Sequence, residues 1–176
     1  MNQRNVAFAW LASILLLTVF AGLSWLNLEL TPEAGAQVVE ITGYIVFPVI
    51  SALILLQAAA LLASFLTPVT VGRVISGSLV PVMVLHGVYV GLSLQGATQN
   101  AIAAQVGEIT GVVGTNSQLQ FVAFAGDTYI WVAYLLAIVV NAGILLAKAV
   151  LKLGPAVARE AEKPSEDAGD LWETQK

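Results

Sequence analysis

Residues 44–66 read YIVFPVISALILLQAAALLASFL, twenty-three consecutive positions without a charged side chain. About 20 predominantly apolar residues carry a helix across the ~30 Å hydrocarbon core of a bilayer, so this stretch predicts a membrane span. Stretches 6–26, 74–95 and 129–147 have similar length and no interior charge. The whole chain agrees with them. Of 176 residues, 58% are hydrophobic and 10% charged, against roughly 25% charged in a soluble domain, and mean hydropathy is +0.85. This composition excludes both an ordinary soluble globule and a disordered chain. The chain has no cysteine, which removes disulfides, thiolate metal sites and cysteine nucleophiles.

Working outward from the four stretches, two longer connections remain, 27–43 and 96–128, and all seven lysines and arginines avoid them. Arg4, Arg73, Lys148, Lys152, Arg159, Lys163 and Lys176 fall at the N-terminus, in the short second connection, or after the fourth stretch. Basic residues near span ends resist translocation, so both termini are expected in the cytoplasm and both longer connections outside. Arg4 before an apolar run also fits a signal peptide. That run is longer than a typical signal core and continues through AGLSW into bulky residues, so a retained span is expected. Residues 1–153 then form the membrane domain. Residues 154–176, charged and poor in apolar side chains, form a disordered cytoplasmic tail, with Gly154 and Pro155 ending the last helix.

The first outer connection alternates apolar and polar residues in WLNLEL and AQVVEITG on either side of the turn sequence TPEAG, which predicts a hairpin. The second offers one strand, LQFVAF, before Gly126. An offset of 83 lays QVVEITG, ending at Gly43, over QFVAFAG, ending at Gly126, and puts Leu53 on Leu136. The expected fold is therefore a membrane all-α protein. It has a four-helix transmembrane bundle capped by a small extracytoplasmic antiparallel β-sheet from the two outer loops, and reads as two parallel helix–strand–helix repeats. Pro48 falls in the first turns of its span and Pro81 deeper in the third, where a static kink is preferred over a hinge. Trp25, Tyr44, Tyr129 and Trp131 are expected in the outer interfacial belt.

Gln57, His86 and Asn141 each fall within about three residues of a span midpoint, hence within roughly 5 Å of the midplane. An unpaired amide or imidazole is costly in hydrocarbon, so each is expected to face a partner helix or a watered cavity. Three readings stand. The three form interhelical hydrogen bonds, which is preferred, or they form a ligand or proton site around the single histidine, or they never meet. The spans contain no Asp, Glu, Lys or Arg, which counts against a driven proton pump.

Catalytic patterns are missing. There is no G-x-S-x-G, P-loop or H-E-x-x-H, one histidine cannot make a multi-histidine metal site, and Glu40 and Glu108, each within an EITG quartet, read as solvated carboxylates. No catalytic residue, metal or cofactor is expected, nor any nucleic-acid partner. Outside the spans, Glu29, Glu33, Glu40, Glu108 and Asp127 stand without a base, a count the positive-inside rule does not explain. In the tail, Asp170, Leu171 and Trp172 are either a short docking motif for a partner or a stray apolar pair.

Four features taken together resemble the tryptophan-associated transmembrane proteins, or Trp biosynthesis-associated membrane proteins, of bacteria. They are Trp25 followed by a polar hairpin; VVEITG leading to Pro48 and an Ala/Leu-rich span; EITGVVG followed by a strand and the aromatic entry Tyr129 and Trp131; and the acidic DLW at Asp170, Leu171 and Trp172. The tail departs from the family pattern by ending at ETQK, where members continue into a longer segment. The resemblance implies a multi-pass protein of the bacterial plasma membrane and supplies no catalytic residues. The expected function is a non-enzymatic accessory or assembly partner in the lipid bilayer, binding another membrane protein or a second copy of itself. The alternatives are a carrier or channel for an aromatic metabolite and an accessory subunit of a larger respiratory or envelope complex.

Overall fold

The computed structural model describes residues 3–112, 114 and 118–150. Helix α1 (Gln3–Gly22) is followed by β1 (Ser24–Leu30), a 3-10 turn (Pro32–Ala34), β2 (Val38–Thr42) and the one-turn helix α2 (Gly43–Val46). Then come α3 (Val49–Leu66), α4 (Val69–Thr110), β3 (Val122–Asp127) and a last helix, here α5 (Ile130–Val150). Helices α1, α3, α4 and α5 are each long and apolar enough to cross a membrane. Their main packing runs round a ring in which α1 and α4 each contact both α3 and α5.

Three helix boundaries differ from the sequence expectation. The first helix stops at Gly22, four residues before Leu26, and β1 takes over at Ser24. The second stretch is not one helix from residue 44. Pro48 lacks an N–H and disfavours helical geometry in the residue before it, so α2 stops at Val46, Phe47 adopts φ −131 and ψ 84, and α3 begins at Val49. The third helix does not stop at Gln95. It runs 42 residues, about 63 Å, and the connection expected over 96–128 opens only after Thr110. Hydropathy falls after Gln95 but helix propensity does not, because GATQNAIAAQVGEIT is rich in alanine and glutamine and holds no proline. The stop is Gly111, in left-handed geometry at φ 71, its N–H donating to the Gly107 carbonyl at 2.9 Å. Pro81 lies inside α4, which continues through it.

The three strands form one antiparallel sheet in the order β2-β1-β3, with β1 pairing both neighbours. The register sets Leu26 against Ile41 and Asp127, and Asn27 against Glu40 and Gly126. Leu26, Leu28, Leu30 and Ile41 are thereby buried towards the helices, while Asn27, Glu29, Glu40 and Phe124 lie exposed on the other face. The segments matched at the offset of 83 contribute β2 and β3, which flank β1, run parallel to one another and lead into α3 and α5. The halves are alike in element order but not in size, since the first alone holds β1 and α4 is twice as long as α1.

Trp25 departs from its expected place in an interfacial belt. A bulge between Ser24 and Leu26 turns its indole into the bundle, where 1% remains exposed and Nε1 donates to the Phe20 carbonyl at 2.9 Å. Its ring lies 5.4 Å from that of Tyr134 and 6.1 Å, edge-on, from Phe47. Gly43 fits beneath it because a Cβ there would come within 2.6 Å of the indole. Thr128 fastens the start of α5 to the same bulge, its hydroxyl donating to the Ser24 carbonyl at 2.6 Å. Tyr129 stays largely exposed, and Tyr44 is half-buried with its hydroxyl donating to the Thr18 carbonyl at 3.2 Å.

Candidate functional site

Gln57 stands at the centre of α3, surrounded by apolar residues, and is buried. An amide there needs partners, and it finds them on the other three long helices. Its Oε1 accepts from Trp10 Nε1 of α1 at 3.2 Å and from Asn141 Nδ2 of α5 at 2.8 Å. Its Nε2 lies 3.0 Å from the Met83 sulfur of α4, towards which it donates. Asn141 Nδ2 also reaches Ser13 Oγ at 2.8 Å, and Ser13 in turn donates to the Trp10 carbonyl at 2.7 Å. One knot of side chains therefore joins all four long helices, near the middle of α1, α3 and α5 and about a third of the way along α4. Asn141 Oδ1 is buried without a donor among the described residues.

His86 is not part of the knot. It lies one helical turn beyond Met83 towards the sheet, and its Nε2 is 3.0 Å from the Tyr134 hydroxyl of α5, the two rings standing edge to face. Tyr134 in turn packs on Trp25, Trp25 on Phe47, and Phe47 on Tyr89 at 5.6 Å, an aromatic layer between the knot and the sheet. Sequence depth placed Gln57, His86 and Asn141 on one level. The structure joins Gln57 to Asn141 and gives His86 to Tyr134.

At the end away from the sheet, Lys148 Nζ donates to Ser64 Oγ at 2.8 Å and sits 4.4 Å from the centroid of the Trp10 ring. Trp10 thus serves twice, its N–H on Gln57 and its ring under a cation. Trp10, Ser13, Met83, Tyr134 and Lys148 were not singled out as site residues from sequence. Trp10 carried no separate signal, because it stands four residues into the stretch 6–26, close to the end where interfacial tryptophans gather.

Chemically the knot consists of amides, an indole, a hydroxyl and a thioether, groups that hold helices together and neither accept nor release protons near neutrality. Glu40 and Glu108 are both exposed, the first on the sheet face turned from the bundle. No group of three or more His, Cys, Asp or Glu suited to a metal occurs among the described residues. Asp170, Leu171 and Trp172 lie outside the described residues. No protein-family model, curated protein or solved structure matches the chain.

Proposed function

We propose that the chain is a non-catalytic integral membrane protein that serves as an accessory or assembly partner of another membrane protein. The observation that supports this reading is the knot: Gln57 and Asn141 are engaged with each other, with Trp10 and with Ser13, and so act as fastening between helices. A carrier needs its mid-depth polar groups free to meet a substrate from alternating sides. Here the three candidates are taken up in two sets of direct bonds. In a bilayer, where apolar surface gains little from leaving lipid, such bonds and close packing are what hold helices together.

In the same reading the four long helices cross the bacterial plasma membrane with both termini in the cytoplasm. Arg73, in the first turns of α4, and Lys148, in the last turn of α5, lie at the end away from the sheet, in keeping with the positive-inside rule. Leu55, Leu66, Leu85, Leu92 and Leu136, each more than 60% exposed, then face lipid or a partner helix. The sheet and the last fifteen residues of α4 stand on the outer side. A role beside tryptophan biosynthesis rests on the resemblance of the short motifs alone.

Purification of the tagged chain from its own membranes in a mild detergent tests the proposal. Stoichiometric co-purification with larger membrane proteins is the expected result. A lone oligomer whose melting temperature rises with an aromatic metabolite overturns it in favour of transport. The cysteine-free sequence makes topology easy to check, since Glu33→Cys should react with a membrane-impermeant maleimide from outside and Thr67→Cys only after the membrane is opened.

A further inference from the structure

The five carboxylates near the sheet are left unexplained by topology, and one of them has a distinctive setting. A cleft of about 350 Å³ lies between β1, α4 and the start of α5. Gln95, Thr98 and Gln99 form one wall, at i, i+3 and i+4 on a single face of α4. Asp127 and Trp131 come from β3 and α5, and Trp25, Leu26 and Leu94 complete a lining that is largely apolar.

The pleat explains why Asp127 is there. It pairs with Leu26, whose side chain is buried, so the carboxylate is on the bundle side of β3. Two donors then fix its orientation: the Tyr129 N–H reaches Oδ1 at 2.7 Å and Trp131 Nε1 reaches Oδ2 at 3.1 Å. Each carboxylate oxygen keeps a further lone pair. Carboxylate and indole thus stand side by side, and Gln95, Thr98 and Gln99 line the same cleft from α4.

The lining contains a carboxylate and no lysine or arginine, which disfavours an anion. Glu29, Glu33, Glu40 and Glu108 lie in the same two connections and the end of α4, where the sequence places no lysine or arginine. One carboxylate is too few for a metal site, and the three polar side chains do not suit a purely apolar guest. An organic cation satisfies every wall: its charge on Asp127, its N–H groups on the α4 oxygens, and its carbon atoms on the indole.

We infer that this cleft binds a primary ammonium group, carried by a free amine or by a lipid headgroup, with Asp127 as counter-charge and Trp131 as aromatic wall. The inference rests on the cleft and is independent of the accessory role.

Calorimetric titration of the full chain in a non-ionic detergent with ethanolammonium chloride, against sodium chloride at equal ionic strength, tests the free-amine arm. Native mass spectrometry from nanodiscs holding equal phosphatidylethanolamine and phosphatidylglycerol tests the lipid arm. Saturable ethanolammonium binding assigns a free amine, and selective retention of phosphatidylethanolamine assigns a headgroup. In either arm Asp127→Asn, which keeps an acceptor for the Tyr129 N–H, should weaken binding by about tenfold or more. The pair Thr98→Val and Gln99→Leu should weaken it several-fold, and decides the matter should Asp127→Asn fail to fold. The inference is overturned by the absence of both saturable ethanolammonium binding and phosphatidylethanolamine preference, or by binding that survives these substitutions unchanged.

Discussion

The centre of the bundle and its sheet end both gather polar side chains onto apolar helices, and they treat them in opposite ways. At the centre, Gln57, Asn141, Trp10 and Ser13 bind one another and leave one acceptor, Asn141 Oδ1, without a donor among the described residues. At the sheet end, Gln95, Thr98 and Gln99 face a cleft across from a carboxylate. A polar residue in an apolar helix therefore does not identify a site. Whether its donors and acceptors are already engaged does, and that depends on which neighbours the packing brings.

The comparison is broken most directly at Gln57. Gln57→Leu strands the Trp10 indole N–H and removes one acceptor from Asn141, and should cost about 2 kcal/mol or more of stability in detergent unfolding. Adding Asn141→Leu should cost less than the sum of the single changes, because both remove the same bond. Fully additive losses would show that the four helices are not held by one knot.

The sheet end is not loose throughout, and Gly43→Ala sharpens the contrast within it. The new Cβ meets the indole of Trp25, a ring held by Tyr134, Phe47 and the Phe20 carbonyl, so a loss of about 2 kcal/mol is expected. The matched glycine, Gly126, would place its Cβ 2.9 Å from the Phe124 ring, which lies exposed and can swing aside. Gly126→Ala should therefore cost clearly less. Equal melting temperatures for the two variants would remove Trp25 as the floor beneath the sheet.

A third, smaller effect separates the two polar layers. His86→Leu and Tyr134→Phe each delete the same bond and should each lower stability by about 1 kcal/mol. Each should add to Gln57→Leu and not to the other. Coupling between His86 and Gln57 above about 0.5 kcal/mol would merge the layers into one network.

These differences mark what sequence could and could not supply. Twenty uncharged residues leave a chain few alternatives, so the four long apolar helices were legible, as were the strands, whose alternation matches the pleat. Depth along a helix was legible too, and it put Gln57 and Asn141 at one level. Direction around the helix was not. His86 lies only one turn from Met83, yet the packing sets it against Tyr134, and no periodicity in α4 announces that choice. Trp10 was missed because an indole inside an apolar run reads as apolar. The end of α4 was misplaced because hydropathy records where a helix becomes polar, whereas Gly111 records where it stops.

The smallest expected effect is the sharpest test of the opening contrast. Thr98 and Gln99 make no side-chain hydrogen bond with the described residues and line the same cleft as Asp127. Thr98→Val and Gln99→Leu keep side-chain volume and helical backbone while removing polar atoms. Each should therefore shift stability by no more than about 0.5 kcal/mol, and in the apo protein either sign is acceptable. A polar group retained for structure behaves like Gln57 and costs stability when removed; one retained for a guest costs binding alone. Unchanged melting temperatures together with weakened ammonium binding would place these residues in the second class. A loss approaching that of Gln57→Leu would mean that the cleft wall is structural after all and that the two ends of the comparison are the same.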